Sequence, residues 1–249
     1  MSAKLGLPDQ VVACLFDLDG VLTQTARVHA AAWKEMLDGF LKARADTGGR
    51  PLEPFDSGSD YEQFVDGRPR EDGVRVFLAS RHMTLPEGSA DDAPGTETVH
   101  GLGNRKNEIF LDLVKKQGVQ PYEGSVRYIE AARHAGLKLA VVTASKNCDE
   151  ILRAARIDGC FDAKVDGNVA AGESLRGKPA PDTYLFAGRL LGAEPAQAAV
   201  YEDALAGVEA GRAGGFGLVV GVDRVGHRDA LRRHGADIVV SDLTELIDT

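Results

Sequence analysis

The 249-residue chain carries 29 Lys and Arg against 38 Asp and Glu, a formal net charge of −9, with 43% hydrophobic and 27% charged residues. That apolar fraction excludes disorder for the bulk of the chain, and the length suffices for one large domain or two unequal ones. The acidity argues against a nucleic-acid binder, which needs clustered cations, and no apolar run approaches the roughly 18 residues that span a bilayer.

In chain order, Val11–Phe16 (VVACLF) is a continuous apolar run, as expected of a strand buried on both faces. Val28, Trp33, Leu37, Phe40 and Leu41 then fall at helical spacing, and Ile109, Phe110, Leu113 and Val114 repeat the pattern up to a C-capping Gly118. Between them, residues 45–60 and 86–103 are rich in Gly, Pro, Ser and Asp and read as loops. From there the alternation is regular: helix 125–135, strand 138–143, helix 148–156, helix 182–191, strand 198–202, a helix from Leu205, and strands 217–222 and 237–240. This predicts an α/β fold, a doubly wound parallel Rossmann-like sheet. The core would comprise residues 1–26 and 117–249, with 27–116 a smaller helical domain inserted after the first strand. The opening MSAKLGLPDQ lacks the apolar centre of a secretory signal, and Cys14, Cys148 and Cys160 have neither metal-ligand spacing nor the density of a disulfide scaffold. A cytoplasmic protein with structural thiols is expected.

Ligands of such sheets bind beyond the carboxyl ends of the strands. There the sequence places Asp17 and Asp19 after the first strand, Thr143–Asn147 after the second, Lys178 in a loop before a helix, and Glu202 and Asp203 after a later strand. Extended backbone points Asp17 and Asp19 the same way, and two carboxylates so close need a cation or a shared proton. Glu202 and Asp203 add oxygen ligands of the kind that suit Mg²⁺, while a lysine and a hydroxyl suit a phosphate. The combination describes phosphoryl transfer.

Four segments in order, DLDGVLT (17–23), VVTAS (141–145), GKPAPDTY (177–184) and VYEDALAGVEA (200–210), resemble the haloacid dehalogenase superfamily. The resemblance implies that Asp17 is a nucleophile forming an aspartyl-phosphate and Asp19 the general acid and base. It further implies that Thr143 and the Ala144 N–H bind the transferring phosphoryl group, which Lys178 neutralises. Asp17, the Asp19 carbonyl, Asp203 and Glu202 would hold Mg²⁺. The Lys178–Pro179 bond would be cis, and the inserted region would be a cap closing over the site.

Within that superfamily the chain is most similar to the β-phosphoglucomutase-like group. Thr25–His29 with Trp33 resembles its hinge and first cap helix, and Gly67–Asp72 its cap loop, whose Arg70 would grip a distal phosphate. Lys106 in Arg105–Asn107 would be a second cap contact, with Ser145, Lys146 and Asn147 contacting the same phosphate from the core and His29 assisting. A mutase handling a sugar bisphosphate must hold two dianions, and the chain carries parts for both. Gln24, in place of Asp, and Asp66, in place of a basic residue, depart from the pattern, as do the long loops.

The expected activity is therefore β-phosphoglucomutase-like phosphoryl transfer on a small sugar phosphate, by a monomer with no nucleic-acid or membrane partner. A phosphatase of the same group is the alternative; intact Asp17 and Asp19 argue against a regulator that has lost catalysis, and the acidic Glu202–Asp203 pair against metal-free dehalogenation. Trp33 reads as core, and His227–His234 as a solvated helix face.

Overall fold

Six strands, all parallel, form one sheet in the order β3-β2-β1-β4-β5-β6 in a computed structural model that describes residues 5–46 and 52–248. In chain order the elements are β1 (Ala13–Phe16), α1 (Ala26–Asp46), α2 (Arg70–Ser80), α3 (Val99–Gln117), α4 (Glu123–His134), β2 (Lys138–Val142), α5 (Cys148–Ala154), β3 (Ala163–Val165), α6 (Gly167–Gly172), α7 (Asp182–Leu191), β4 (Ala198–Glu202), α8 (Leu205–Ala213), β5 (Leu218–Val222), α9 (Arg228–His234) and β6 (Ile238–Val240). Residues 1–4 of the opening segment and 47–51 of the expected loop lie outside the described residues. No described helix is long and apolar enough to cross a membrane.

The chain divides into two compact units, Met1–Gln24 with Val119–Thr249, and Thr25–Gly118. The ends of the second lie two residues outside the expected 27–116. Thr25 belongs to the start of α1, since its carbonyl accepts from the His29 N–H, and Gly118 caps α3 at φ +73°, donating to the Val114 carbonyl.

In the first unit β1 lies inside the sheet, where its four consecutive apolar residues are buried on both faces. Ala13 and Leu15 join the cluster of Val142, Tyr184, Ala187, Val200 and Val208. Cys14 and Phe16 alternate to the other face, where Phe16 stacks on Tyr201 at 4.4 Å between ring centroids and meets Tyr128 edge-on. The strand is shorter than the apolar run, since Val12 is 44% exposed. Lys178–Pro179 is the cis peptide bond.

The second unit is helical. Trp33, Leu37, Phe40 and Leu41 of α1 are buried, as are Leu102, Ile109, Phe110 and Val114 of α3, so Trp33 is core. The structure corrects the expected loop over 86–103. Its last five residues are helical, because Thr98 caps α3 by accepting from the Gly101 N–H at 2.9 Å. Gly101 sits in the first turn of α3 where no larger residue fits, since a Cβ on it would lie 2.4 Å from the Thr96 carbonyl oxygen.

Candidate active site

The order of the sheet sets β2 and β4 on either side of β1, so the residues leaving these three strands meet at one edge. The Asp17 N–H donates to the Tyr201 carbonyl and the Thr143 N–H to that of Val165, continuing the ladders one residue past the strands. Asp17 and Thr143 are thereby fixed by backbone pairing, as Glu202 is at the end of β4; these three and Asp203 are buried, while Asp19 stands half-exposed in the turn after β1.

The carboxylates of Asp17, Glu202 and Asp203 offer oxygens that all lie within 4.8 Å of one another. Lys178, also buried, reaches into this cluster with its Nζ 2.5 Å from both Asp17 Oδ1 and Glu202 Oε1, and donates to the Val142 carbonyl at 3.1 Å. Burial acts to lower the lysine's pKa, but Asp17 and Glu202 outweigh it and hold the ammonium above its usual value. One cation does not balance the cluster. Burial raises the Asp17 pKa well above the ordinary carboxylate range; Lys178 opposes this, and Glu202 and Asp19 add to it.

Two glycines make the cluster possible. Gly20 has φ +90°, and a Cβ on it would lie 1.7 Å from Asp203 Oδ2. A Cβ on Gly207, in the first turn of α8, would lie 1.8 Å from Glu202 Oε1. Gly20→Ala should therefore cost about 1–3 kcal/mol in backbone strain alone and displace Asp203 besides. Thermal melts with and without Mg²⁺ check this: a lowered midpoint and a diminished Mg²⁺ response are expected, and an unchanged response would contradict it.

The donor set is all oxygen and carries excess negative charge, which fits a small hard divalent cation rather than a thiophilic one. Facing the strand end, the Thr143 Oγ1 accepts from the Ser145 N–H at 3.1 Å, so its own hydrogen remains to be donated. The Ser145 Oγ accepts from the Asn147 N–H at 3.2 Å, which curls residues 143–147 into a loop with Ala144 and Ser145 half-buried and Lys146 exposed. Asn168 Nδ2 donates to the Lys146 carbonyl and the Gly167 N–H to that of Ser145, so the start of α6 braces the loop.

In the second unit, Arg70 opens α2 with its side chain 16% exposed; Nη1 donates to the Gly103 carbonyl at 3.4 Å, and Glu71 lies 3.7 Å from Nε. Lys106 and His29 meet, Nζ 2.5 Å from Nδ1, with the ammonium 5.2 Å from the Trp33 ring centroid and 5.0 Å from that of Phe110. His29 itself stacks on Phe110. Tyr184 is a site residue that the sequence reading passed over. Its hydroxyl donates to Glu202 Oε1 at 2.7 Å and its ring lies 5.0 Å from Lys178 Nζ. Tyr184 lies in the first turn of α7, the helix that follows Lys178.

The sequence that builds this cluster of buried carboxylates around a lysine matches a known family over most of its length. The sequence model described as haloacid dehalogenase-like hydrolase covers residues 11–215, and the chain belongs to that family of enzymes. It is 52% identical to the β-phosphoglucomutase of Mycobacterium tuberculosis over 249 residues, covering 99% of this chain and 95% of that one. It is 31% identical to the β-phosphoglucomutase of Bacillus subtilis, covering 94% and 91%. Among solved structures it is similar to CbbY from Rhodobacter sphaeroides in complex with phosphate, with a TM-score of 0.68 and 26% identity, covering 95% of this chain and 96% of that one.

Proposed function

We propose that this enzyme isomerises a small sugar phosphate by Mg²⁺-dependent phosphoryl transfer of the β-phosphoglucomutase type. The observation that carries the reading is the buried Asp17, set against Lys178 and within 4.8 Å of two further carboxylates. The identity to the two β-phosphoglucomutases supports the choice of substrate class.

In this reading an Asp17 carboxylate oxygen attacks the phosphorus and the ester P–O bond breaks. Asp19, half-exposed beside it, gives a proton to the departing sugar oxygen; in the return step it takes the proton of a sugar-phosphate hydroxyl, whose oxygen attacks the phosphorus, forming the bisphosphate and breaking the Asp17 O–P bond. Lys178 neutralises charge on the transferring group and holds Asp17 in place. The Thr143 hydroxyl and the Ala144 N–H bind the same group. Asp17, the Asp19 carbonyl and Asp203 would hold Mg²⁺, with Glu202 acting directly or through water. When bound, the ion supplies further neutralisation of the phosphoryl oxygens. Arg70 takes the second phosphate of a bisphosphate intermediate, together with Ser145, Lys146 and Asn147, and His29 and Lys106 complete the proposed substrate contacts.

Phosphorus NMR of the purified protein with Mg²⁺, β-glucose 1-phosphate and a trace of glucose 1,6-bisphosphate tests this. Glucose 6-phosphate with little inorganic phosphate is expected; inorganic phosphate as the main product would make the enzyme a phosphatase. Arg70→Ala should lower kcat/KM for the sugar phosphate by about 10- to 100-fold, the loss of one charged contact. Its effect on para-nitrophenyl phosphate, which has no distal phosphate, should be small. Equal losses on both would remove Arg70 from the substrate contacts.

A further inference from the structure

Arg224 lies two residues beyond β5, in a loop that none of the four sequence motifs includes. Its side chain is only 14% exposed, and its fork is used on three carbonyls from two separate turns. Nε donates to Gly20 O at 2.9 Å and Nη2 to Val21 O at 3.4 Å, in the turn after β1, while Nη1 donates to Ser241 O at 2.7 Å, just past β6. The guanidinium lies 3.6 Å over the Tyr122 ring, and Asp242 stands 3.7 Å from Nη1. The turn it grips is also tied by its own Gly20 N–H to the Thr23 carbonyl and, from the start of α4, by Tyr122 N–H to the Leu22 carbonyl and Ser125 Oγ to the Val21 carbonyl.

The consequence lies on the opposite side of Gly20. This residue presents its carbonyl to Arg224 and its Cα to Asp203, so closely that there is no room for a methyl group. Gly20 is thus held between a cation at its carbonyl and a carboxylate of the site at its Cα. We propose that Arg224 is a positioning residue: by holding the Gly20–Val21 backbone against Asp203, it sets the spacing of the Asp17, Asp19 and Asp203 oxygens on which cation binding and phosphoryl transfer depend. Arg224 spans the two turns with three separate nitrogens, whereas an ammonium concentrates its donors on one nitrogen and does not reproduce that spread.

The inference rests on the Mg²⁺-dependent reading, and the experiment separates the two. Mg²⁺ is titrated calorimetrically into the metal-free full-length enzyme and its Arg224→Ala, Arg224→Gln and Arg224→Lys variants, and each is assayed with para-nitrophenyl phosphate. Outer-shell partners of this kind are worth about 10- to 100-fold in metal affinity or activity. A weakening of Mg²⁺ binding of that size is expected in all three variants, with a matching fall in kcat and little change in KM. Millimolar guanidinium ion should partly restore Arg224→Ala, and Arg224→Lys should not behave as wild type, since charge alone does not suffice. Variants that lose thermal stability but keep wild-type Mg²⁺ affinity and kcat would overturn the proposal and leave Arg224 a structural tie. Should Arg224→Ala fail to fold, the Lys and Gln variants decide between these outcomes. A wild-type enzyme that neither binds Mg²⁺ nor turns over would instead overturn the phosphoryl-transfer reading, and this inference with it.

Discussion

Asp17→Asn is expected to reduce turnover by on the order of 10⁴-fold or more while leaving the fold intact, because an amide of the same shape fills the site but has no carboxylate oxygen to attack phosphorus. The fold should survive because Asp17 is held mainly by its backbone, through the N–H donated to the Tyr201 carbonyl. Stability without divalent cations should change with pH in a defined sense. Burial raises the Asp17 pKa above its unfolded value, Lys178 only partly offsetting this, so the ionised carboxylate weighs against folding. Wild type has this penalty lifted below the ordinary carboxylate range and incurs it as the pH rises through the raised folded value. Melting midpoints of Asp17→Asn and wild type should therefore converge in acid and separate in the variant's favour toward neutral pH. A variant less stable than wild type at neutral pH would mean that the pairing with Lys178 outweighs desolvation. Retained turnover would remove Asp17 from the nucleophile's role.

The parts of the molecule that could be read from the sequence are those where a strand of four or five apolar residues delivers polar ones directly at its end. β1, β2 and β4 are of this kind, and Asp17, Thr143 and Glu202–Asp203 follow from them. β3 could not be read, having only three residues with Lys164 in the middle, as suits a sheet edge. Nor could α6, a short segment between two glycines whose start depends on the Asp166 carboxylate accepting from the Asn168 and Val169 N–H groups. Gly101 and Gly103 fell in the expected loop, yet they sit in the helix that Thr98 caps, at positions where neighbours crowd the Cα, Thr96 at one and Arg70 at the other. What escaped are side-chain contacts made between separate elements of the fold. Tyr184 reaches Glu202, and Arg224 reaches Gly20, 204 residues away in the chain. No periodicity or spacing encodes such a bond. It exists only once the sheet order has brought the ends of β1, β5 and β6 together.

Replacing Lys178 by Met should damage both stability and catalysis, and the two losses should respond differently to Mg²⁺. The methionine reproduces most of the stem in a site that is 3% exposed, so packing is largely kept and the change is chiefly the loss of charge. Asp17 and Glu202 then face each other with no ammonium between them. Leaving a buried charge without its partner costs about 3–5 kcal/mol, and in a chain of this size that lowers the melting midpoint by on the order of 10 °C. Tyr184 still donates to Glu202, but nothing comparable remains for Asp17. Mg²⁺ should restore a larger part of the midpoint in Lys178→Met than it adds to wild type, because the three clustered carboxylates that lost their fixed cation are also the proposed ligands of the ion. Activity should not recover in parallel. The ammonium that neutralises the transferring phosphoryl group would still be missing, a deficit of about 10²- to 10³-fold in kcat by comparison with other preorganised donors. Melts with and without Mg²⁺, set beside kcat at saturating Mg²⁺, separate these roles. If stability and activity were restored together, Lys178 would be a charge balance for the cluster and no part of the chemistry. If neither fell, the ammonium would be dispensable to both the fold and the chemistry, and Lys178 would lose both assigned roles.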